Sequence, residues 1–122
     1  KDKKERFNLY SQIDYVLNEL ERNKLINDQN YTYNKIRLFA SQAKSKRFIQ
    51  NYLSQKGIEK QVIQEKLKDF ENNNYDWEKK SAFAFAKKKK LLETKENYEK
   101  KLGKMARAGF SYELCRQILK TD

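Results

Sequence analysis

Apolar residues recur along this chain at helical spacing, and one block of the pattern occurs twice. Setting Gly57 on Gly109, a shift of 52 residues, keeps apolar positions on apolar positions. The aligned pairs are Leu53/Met105, Ile58/Phe110, Val62/Leu114, Ile63/Cys115 and Leu67/Leu119. A supersecondary unit used twice predicts a helical repeat protein, a class that usually works by surface contact rather than by catalysis.

Residues that begin or end helices divide the chain into predicted elements. Ser45 and Ser111 are placed to cap helices, and Gly57 and Gly109 to end them, because glycine adopts a left-handed conformation at no steric cost. Further caps are predicted at Ser11, Asp28, Asp76 and Thr94. The turn-rich segment 71–76 is the one obvious linker.

Each predicted helix carries an apolar stripe. The stripe of the first consists of Ile13, Val16, Leu17 and Leu20, and the helix after Asp76 is expected to run through Leu91 and Leu92. Trp77 is expected to pack the third unit on the second. We therefore predict an all-α fold of tandem three-helix repeats in an elongated, curved helical array. Residues 1–27 form the C-terminal helix of an incomplete first repeat, 28–70 the second repeat and 76–120 the third.

Composition supports helices. The 122 residues include no proline and three glycines, and 37% are charged, whereas strands joined by tight turns need more glycine and proline. No apolar run reaches the roughly 18 residues of a membrane span. A lone Cys115, aligned with Ile63, is expected to be a small core residue and suits a reducing cytoplasm. The chain starts at Lys1 without a methionine, so we expect a fragment. We also expect the protein to be monomeric and cytoplasmic.

The net charge of +11 is unevenly distributed. Residues 1–30 sum to zero, residues 31–70 to +6 and residues 71–122 to +5. No acidic residue lies between Asp28 and Glu59. Such a window attracts anionic partners, namely nucleic acid, an acidic protein surface or a membrane face. The competing interpretation is a solvated lysine face that only maintains solubility.

The candidate binding residues are all basic, and their proposed role is contact with DNA phosphate or an acidic protein surface. They are Lys35, Arg37, Lys44, Lys46, Arg47, Lys56, Lys87, Lys88, Lys89, Lys90, Lys101, Lys104 and Arg107. Four successive lysines at 87–90 span most of a helical circumference, so at least one should lie near the buried side. A solvated helix end remains the alternative. Phe39, Phe48 and Tyr52 are expected in the core, and Tyr31 at a partly buried joint.

Catalytic chemistry is not indicated. The chain has no histidine, which removes the usual general base near neutral pH and His-dependent metal sites. Its three glycines are isolated, so no glycine-rich phosphate loop occurs. We predict neither an enzyme nor a cofactor or metal.

Two motifs together resemble the RecX family, the bacterial regulators of the RecA recombinase. One is the turn 25–31 (LINDQNY) followed by the helix 33–42 (YNKIRLFASQ). The other is 47–58 (RFIQNYLSQKGI), with a partial echo at 105–111 (MARAGFS). The likeness covers approximately residues 13–119. Two departures are that the family's glycine before the turn is Asn23 or Lys24 here, and its arginine before the aromatic residue is Asn30.

This resemblance implies tandem three-helix units that lie along the groove of the RecA–DNA filament and suppress ATP hydrolysis, strand exchange and coprotease activity, as part of DNA recombination, repair and the SOS response. The implied partner is the RecA nucleoprotein filament, with single- or double-stranded DNA as a further partner and no membrane. Two alternatives stay open. A basic helical nucleic-acid-binding module needs no recombinase, and a protein-only helical adaptor would bind through apolar surface with little salt dependence.

Overall fold

The computed structural model describes residues 3–93, 95 and 97–119. Every regular element within these ranges is an α-helix, which confirms the all-α prediction. The helices are α1 (Lys3–Ser41), α2 (Lys46–Gln55), α3 (Lys60–Asn73), α4 (Trp77–Lys88), α5 (Tyr98–Arg107) and α6 (Tyr112–Ile118). Within the described part of the chain, no helix combines the length and the apolar character needed to cross a membrane.

Helix α1 is continuous over 39 residues, so the predicted helix boundary at Asp28 is wrong. Residues 21–24 lead the helix into this position, because Glu, Arg and Lys are good helix formers. Asn27 and Asp28 each cost only about 0.7 kcal/mol in a helix interior, and no proline or glycine breaks the segment. A residue that could cap a helix does not create a boundary when the residues before it also favour the helical conformation.

Four of the helices end in the same left-handed motif. Gly57 (φ 85°) and Gly109 (φ 100°) follow α2 and α5 as predicted, and Ala43 (φ 60°) and Lys90 (φ 59°) take the same position after α1 and α4. In each case the next residue's N–H donates to a carbonyl five residues back, as in Ile58 to Leu53 at 3.1 Å. These bonds satisfy carbonyls that the helix end leaves free.

The boundaries of α4 and α5 differ from those predicted. Helix α4 ends at Lys88, because Lys90 turns left-handed, so Leu91 and Leu92 lie in a turn rather than in the helix. Asp76 precedes α4 with φ 57° and makes no capping hydrogen bond from its side chain. Thr94 lies outside the described residues, and the side chain that caps α5 is that of Asn97, which accepts from the Glu99 N–H at 3.0 Å.

The first hydrophobic core lies between the C-terminal half of α1, helix α2 and helix α3. Ile36, Ile49 and Leu53 are fully buried there. Trp77 of α4 also belongs to this core. Its ring centroid lies 5.6 Å from that of Phe70, in an edge-to-face arrangement. The prediction that Trp77 packs the later helices on the earlier ones is therefore confirmed.

The second core lies between α4, α5 and α6. It contains Met105, Phe110 and Cys115, which align with Leu53, Ile58 and Ile63 of the first core. Burial raises the pKa of the Cys115 thiol, which donates a weak hydrogen bond to the Phe110 carbonyl at 3.7 Å. Cys115 is thus the small core residue that the sequence predicts.

The N-terminal half of α1 does not bury its predicted stripe. Ile13, Val16, Leu17 and Leu20 are each about half exposed, and Leu9 extends the same row. The residues do form one stripe, but no core of the described part of the chain covers it. The helix forms without burying them because its backbone hydrogen bonds are internal and continue those of residues 31–41, which are anchored in the first core.

A buried hydroxyl gives a stability prediction. The Thr32 side chain is fully buried, and its Oγ1 has no hydrogen-bond partner among the described residues. A buried polar group without a partner costs roughly 1–3 kcal/mol, so we expect Thr32→Val to raise the free energy of unfolding by about 1 kcal/mol in urea titrations. Thr32→Ser, which keeps the hydroxyl and removes the methyl group, is the control and should lower it. A loss of stability in the valine variant would show that the hydroxyl is satisfied in solution.

Candidate partner-binding surface

The packing of α1 on α2 brings aromatic rings and lysines to one surface. Ile36 and Ile49 fill the interior, and the rings of Phe39, Phe48 and Tyr52 lie at its edge. The Phe39 ring packs edge-to-face on two others: its centroid lies 5.4 Å from that of Phe48 and 4.8 Å from that of Tyr52. We call this surface the lysine–aromatic face. Its members are Tyr31, Lys35, Phe39, Lys44, Phe48, Tyr52 and Lys56.

Lys35 occupies the centre of this face. Its Nζ lies 5.7 Å from the ring centroid of Tyr31, 5.8 Å from that of Phe39 and 5.7 Å from that of Tyr52. An ammonium group near the electron-rich face of an aromatic ring is stabilised by roughly 0.5–1 kcal/mol at a partly exposed site. Three rings around one ammonium fix the position of this charge better than a free lysine side chain would.

Two further lysines repeat the arrangement at the edges of the face. The Lys44 Nζ lies 4.9 Å from the Phe48 ring centroid, and the Lys56 Nζ lies 5.5 Å from that of Tyr52. Phe48 is 37% exposed, although the sequence predicted it in the core. The face therefore offers positive charge and accessible aromatic surface side by side.

Tyr31 closes the face on the α1 side. Burial, then a hydrogen bond with Tyr52 and the charge of that neighbour, raise the pKa of Tyr31 above its ordinary value. A phenol is neutral at physiological pH even without this shift, and the shift keeps it so to a higher pH.

The other predicted basic residues of this region differ in their surroundings. Arg37 and Arg47 are exposed, on α1 and at the start of α2. Lys46 is instead engaged within the protein, since its Nζ lies 2.9 Å from Glu71 Oε1 and its backbone N–H donates to Glu78 Oε2 at 2.9 Å. The structure thus places Lys46 among carboxylates, apart from the other candidates.

The remaining candidates lie on the later helices. Lys87, Lys88, Lys89 and Lys90 are all exposed, so the expectation that one of them lies near the buried side is wrong. The reason is that α4 ends at Lys88 and the last two lysines follow the turn into solvent. Lys104 and Arg107 are exposed in the last turn of α5, where cations interact favourably with the helix dipole, and Lys101 is half-buried.

Acidic groups are concentrated elsewhere. A cleft of about 500 Å³ between the α3–α4 turn and α6 is lined by Glu71, Asp76, Glu78 and Glu113 together with Trp77. No three His, Cys, Asp or Glu side chains in the described ranges lie close enough to hold a metal ion. The basic surface and this cleft therefore give the molecule two regions of opposite charge.

Sequence reasoning missed the aromatic part of the face, although a signal was present. Tyr31, Lys35 and Phe39 are spaced by four residues, as are Lys44 and Phe48, and Tyr52 and Lys56. Residues four apart are neighbours on a helix surface, so the pairs within α1, and the pair at the end of α2, predict contacts. Lys44 precedes the cap of α2, so the helical rule does not predict its contact with Phe48. The contact of Lys35 with Tyr52 had no such signal, because it depends on how α1 and α2 cross.

These features define a class: a basic, all-helical protein with a charged and aromatic surface suited to an anionic partner. Comparison with curated proteins confirms the resemblance seen in the sequence. A protein of Myxococcus xanthus named Regulatory protein RecX is 28% identical to this chain over 125 residues, which cover 97% of the chain and 66% of the relative. No family model and no solved structure matches the chain.

Proposed function

We propose that this chain is a RecX-like regulatory protein that binds the RecA–DNA filament and inhibits or modulates its ATPase, strand-exchange and coprotease activities. The observation that supports this most is the similarity to Regulatory protein RecX over 97% of the chain. The chain spans 66% of that relative's length, so the activity is proposed for the part of the protein described by this sequence. It acts as a non-enzymatic monomer in the cytoplasm.

The proposed architecture is a tandem array of three-helix units, with residues 28–70 and 76–120 as two units and 1–27 as the last helix of an incomplete one. Equivalent features at the 52-residue shift support it. Ser45 and Asn97 both cap the middle helix of a unit, and Gly57 and Gly109 both end it. Two separate cores accompany the two units. Stacked units of this kind form an elongated, curved body.

The proposed mechanism is mechanical and electrostatic. A stiff body with basic groups on both units touches more than one protomer of a nucleoprotein filament. Because ATP turnover requires protomers to change their arrangement, a ligand that binds one arrangement better shifts the population toward it and slows turnover. The basic candidates other than Lys46, which pairs with Glu71 within the protein, contact DNA phosphate or acidic filament surface. The bound protein excludes duplex DNA or a repressor substrate from the groove.

The decisive experiment is a titration of the host's RecA, bound to single-stranded DNA, with this chain while ATP hydrolysis is measured. We expect inhibition to be complete at substoichiometric to stoichiometric ratios. The control is RecA in the same buffer with an unrelated basic helical protein of similar net charge, which should inhibit only at large excess. Undiminished ATP hydrolysis at a severalfold excess of the chain would refute the proposal.

A second candidate function is a nucleic-acid-binding module without a recombinase partner. The lysine–aromatic face favours it, because ammonium groups beside accessible rings suit phosphates and stacked bases of a single strand. This function predicts submicromolar affinity for naked single-stranded DNA, a steep fall with salt and no effect on RecA. Tight binding of DNA together with an unaffected ATPase would select this alternative.

A further inference from the structure

Helix α2 begins between the two cores. Its N-cap Ser45 contacts the end of α5, and its first residue Lys46 contacts α3 and α4. The Ser45 Oγ donates to the Ala108 carbonyl at the end of α5 over 2.8 Å and accepts the Phe48 N–H at 3.1 Å. Ser45 is fully buried. One hydroxyl thus caps α2 and holds the end of α5 against it.

Lys46 contacts both sides of the short turn between α3 and α4. Its Nζ pairs with Glu71 in the last turn of α3 at 2.9 Å, and its backbone N–H donates to Glu78 in the first turn of α4 at 2.9 Å. This N–H belongs to the start of α2, where the helix leaves donors free and favours a negative partner. Glu78 is therefore held at the helix N-terminus by both a hydrogen bond and the dipole.

We propose that Ser45, Lys46, Glu71, Glu78 and Ala108 form a junction that fixes the orientation of the α4–α6 helices relative to α1–α3. Lys46 is then a positioning residue and not a partner contact. Trp77 of α4 also packs into the first core, and the Ser81 hydroxyl of α4 donates to the Ala40 carbonyl of α1 at 3.3 Å. The Glu71 and Glu78 carboxylates add two polar contacts, both through Lys46, across the same boundary.

The functional consequence rests on the proposed filament binding. If the orientation is fixed before binding, basic groups on both halves reach one partner together, and no ordering cost reduces the affinity. Without the junction, each half binds with its own lower affinity. The junction therefore converts two sparse sets of lysines and arginines into one preorganised surface.

The double variant Glu71→Gln with Glu78→Gln distinguishes the positioning role of the junction from non-specific electrostatic attraction to the partner. It raises the net charge from +11 by two units, so non-specific electrostatics predicts tighter binding of an anionic partner. The junction predicts the opposite, namely about a five- to tenfold higher concentration for half-inhibition of the RecA ATPase. Glu65→Gln with Glu93→Gln makes the same charge change on exposed residues away from the junction and should not weaken inhibition.

The orientation is measured as the distance between two spin labels by pulsed electron paramagnetic resonance. The labels are attached at Ser54→Cys on α2 and Ala106→Cys on α5, and both positions are exposed. We expect one narrow distance distribution in the parent and the Glu65/Glu93 control, and a broadened one in the junction variant. Far-UV circular dichroism should be equal in all three, because each half keeps its own core.

The two measurements together support or overturn the junction. A broadened distribution with weakened inhibition supports the junction. An unchanged distribution overturns it, and weakened inhibition in that case assigns the carboxylates to direct partner contact. A broadened distribution with unchanged or stronger inhibition overturns the positioning role. Lack of inhibition by the parent chain would sink the proposed function alone, because the distance measurement would still test the orientation.

Discussion

Gly109→Ala should lower the free energy of unfolding by about 3 kcal/mol, whereas Gly57→Ala should lower it by about 1. Both glycines have positive φ, 100° and 85°, so alanine meets the same backbone strain at either position. The surroundings differ. A Cβ on Gly109 would lie 2.3 Å from the Ser45 Oγ, and a Cβ on Gly57 would have nothing within 4 Å.

The comparison is made by urea denaturation of both variants, followed by circular dichroism. Ser45→Ala supplies the second axis of a double-mutant cycle, because it removes the oxygen that the new methyl group would meet. Gly109→Ala should cost less in the Ser45→Ala background than in the parent. Equal costs at the two glycines, or strictly additive effects of the two changes at 45 and 109, would show that α5 does not approach α2 as described.

Helix ends with a strong local signal were the part of the fold that the sequence predicted best, although α1 runs through the predicted caps Ser11 and Asp28. Gly57, Gly109, Ser45 and Ser111 act where predicted, because capping and left-handed termination depend on residues within one turn. The alignment of Leu53 with Met105 likewise predicted two fully buried positions. Signals of this kind are local and repeat with the unit.

The wrong helix boundaries were predicted from weak local signals, which the neighbouring residues override. Asp28 has the chemistry of a cap, but the helix-forming residues on both sides carry α1 through it. Lys90 gave no sign that it ends α4, since a left-handed lysine is uncommon and the prediction depended on glycine. A helix end without glycine is the case that propensity alone identifies least well.

The sequence predicted which basic residues belong to the candidate surface, but it did not predict which side chains they contact. The basic window between Asp28 and Glu59 places Lys35, Lys44 and Lys56 on one region, as their net charge suggested. The pairing of Lys46 with Glu71 and Glu78 joins residues 25 and 32 positions apart in the chain. Composition shows that both signs of charge are present, but only the packing of α3 and α4 on α2 shows which ones meet.

Reversing two exposed arginines should have the largest effect on function. In the variant Arg37→Glu with Arg47→Glu, each change removes two units of charge, so the net charge falls from +11 to +7. Both side chains are exposed, which leaves the cores intact. We expect the concentration for half-inhibition of the RecA ATPase to rise by more than about tenfold, and its dependence on salt to weaken, because two contacts with anionic groups become repulsive.

Lys60→Glu with Lys68→Glu is the matched control. Both lysines are exposed on α3, neither is among the predicted binding residues, and the net charge falls by the same amount. Inhibition by this variant should change less than about threefold, which reflects the smaller overall attraction alone. Equal loss in the two variants would mean that net charge, and not the position of Arg37 and Arg47, determines binding. In that case these two arginines have no special role, and the solvated-surface interpretation of the basic window is favoured for them.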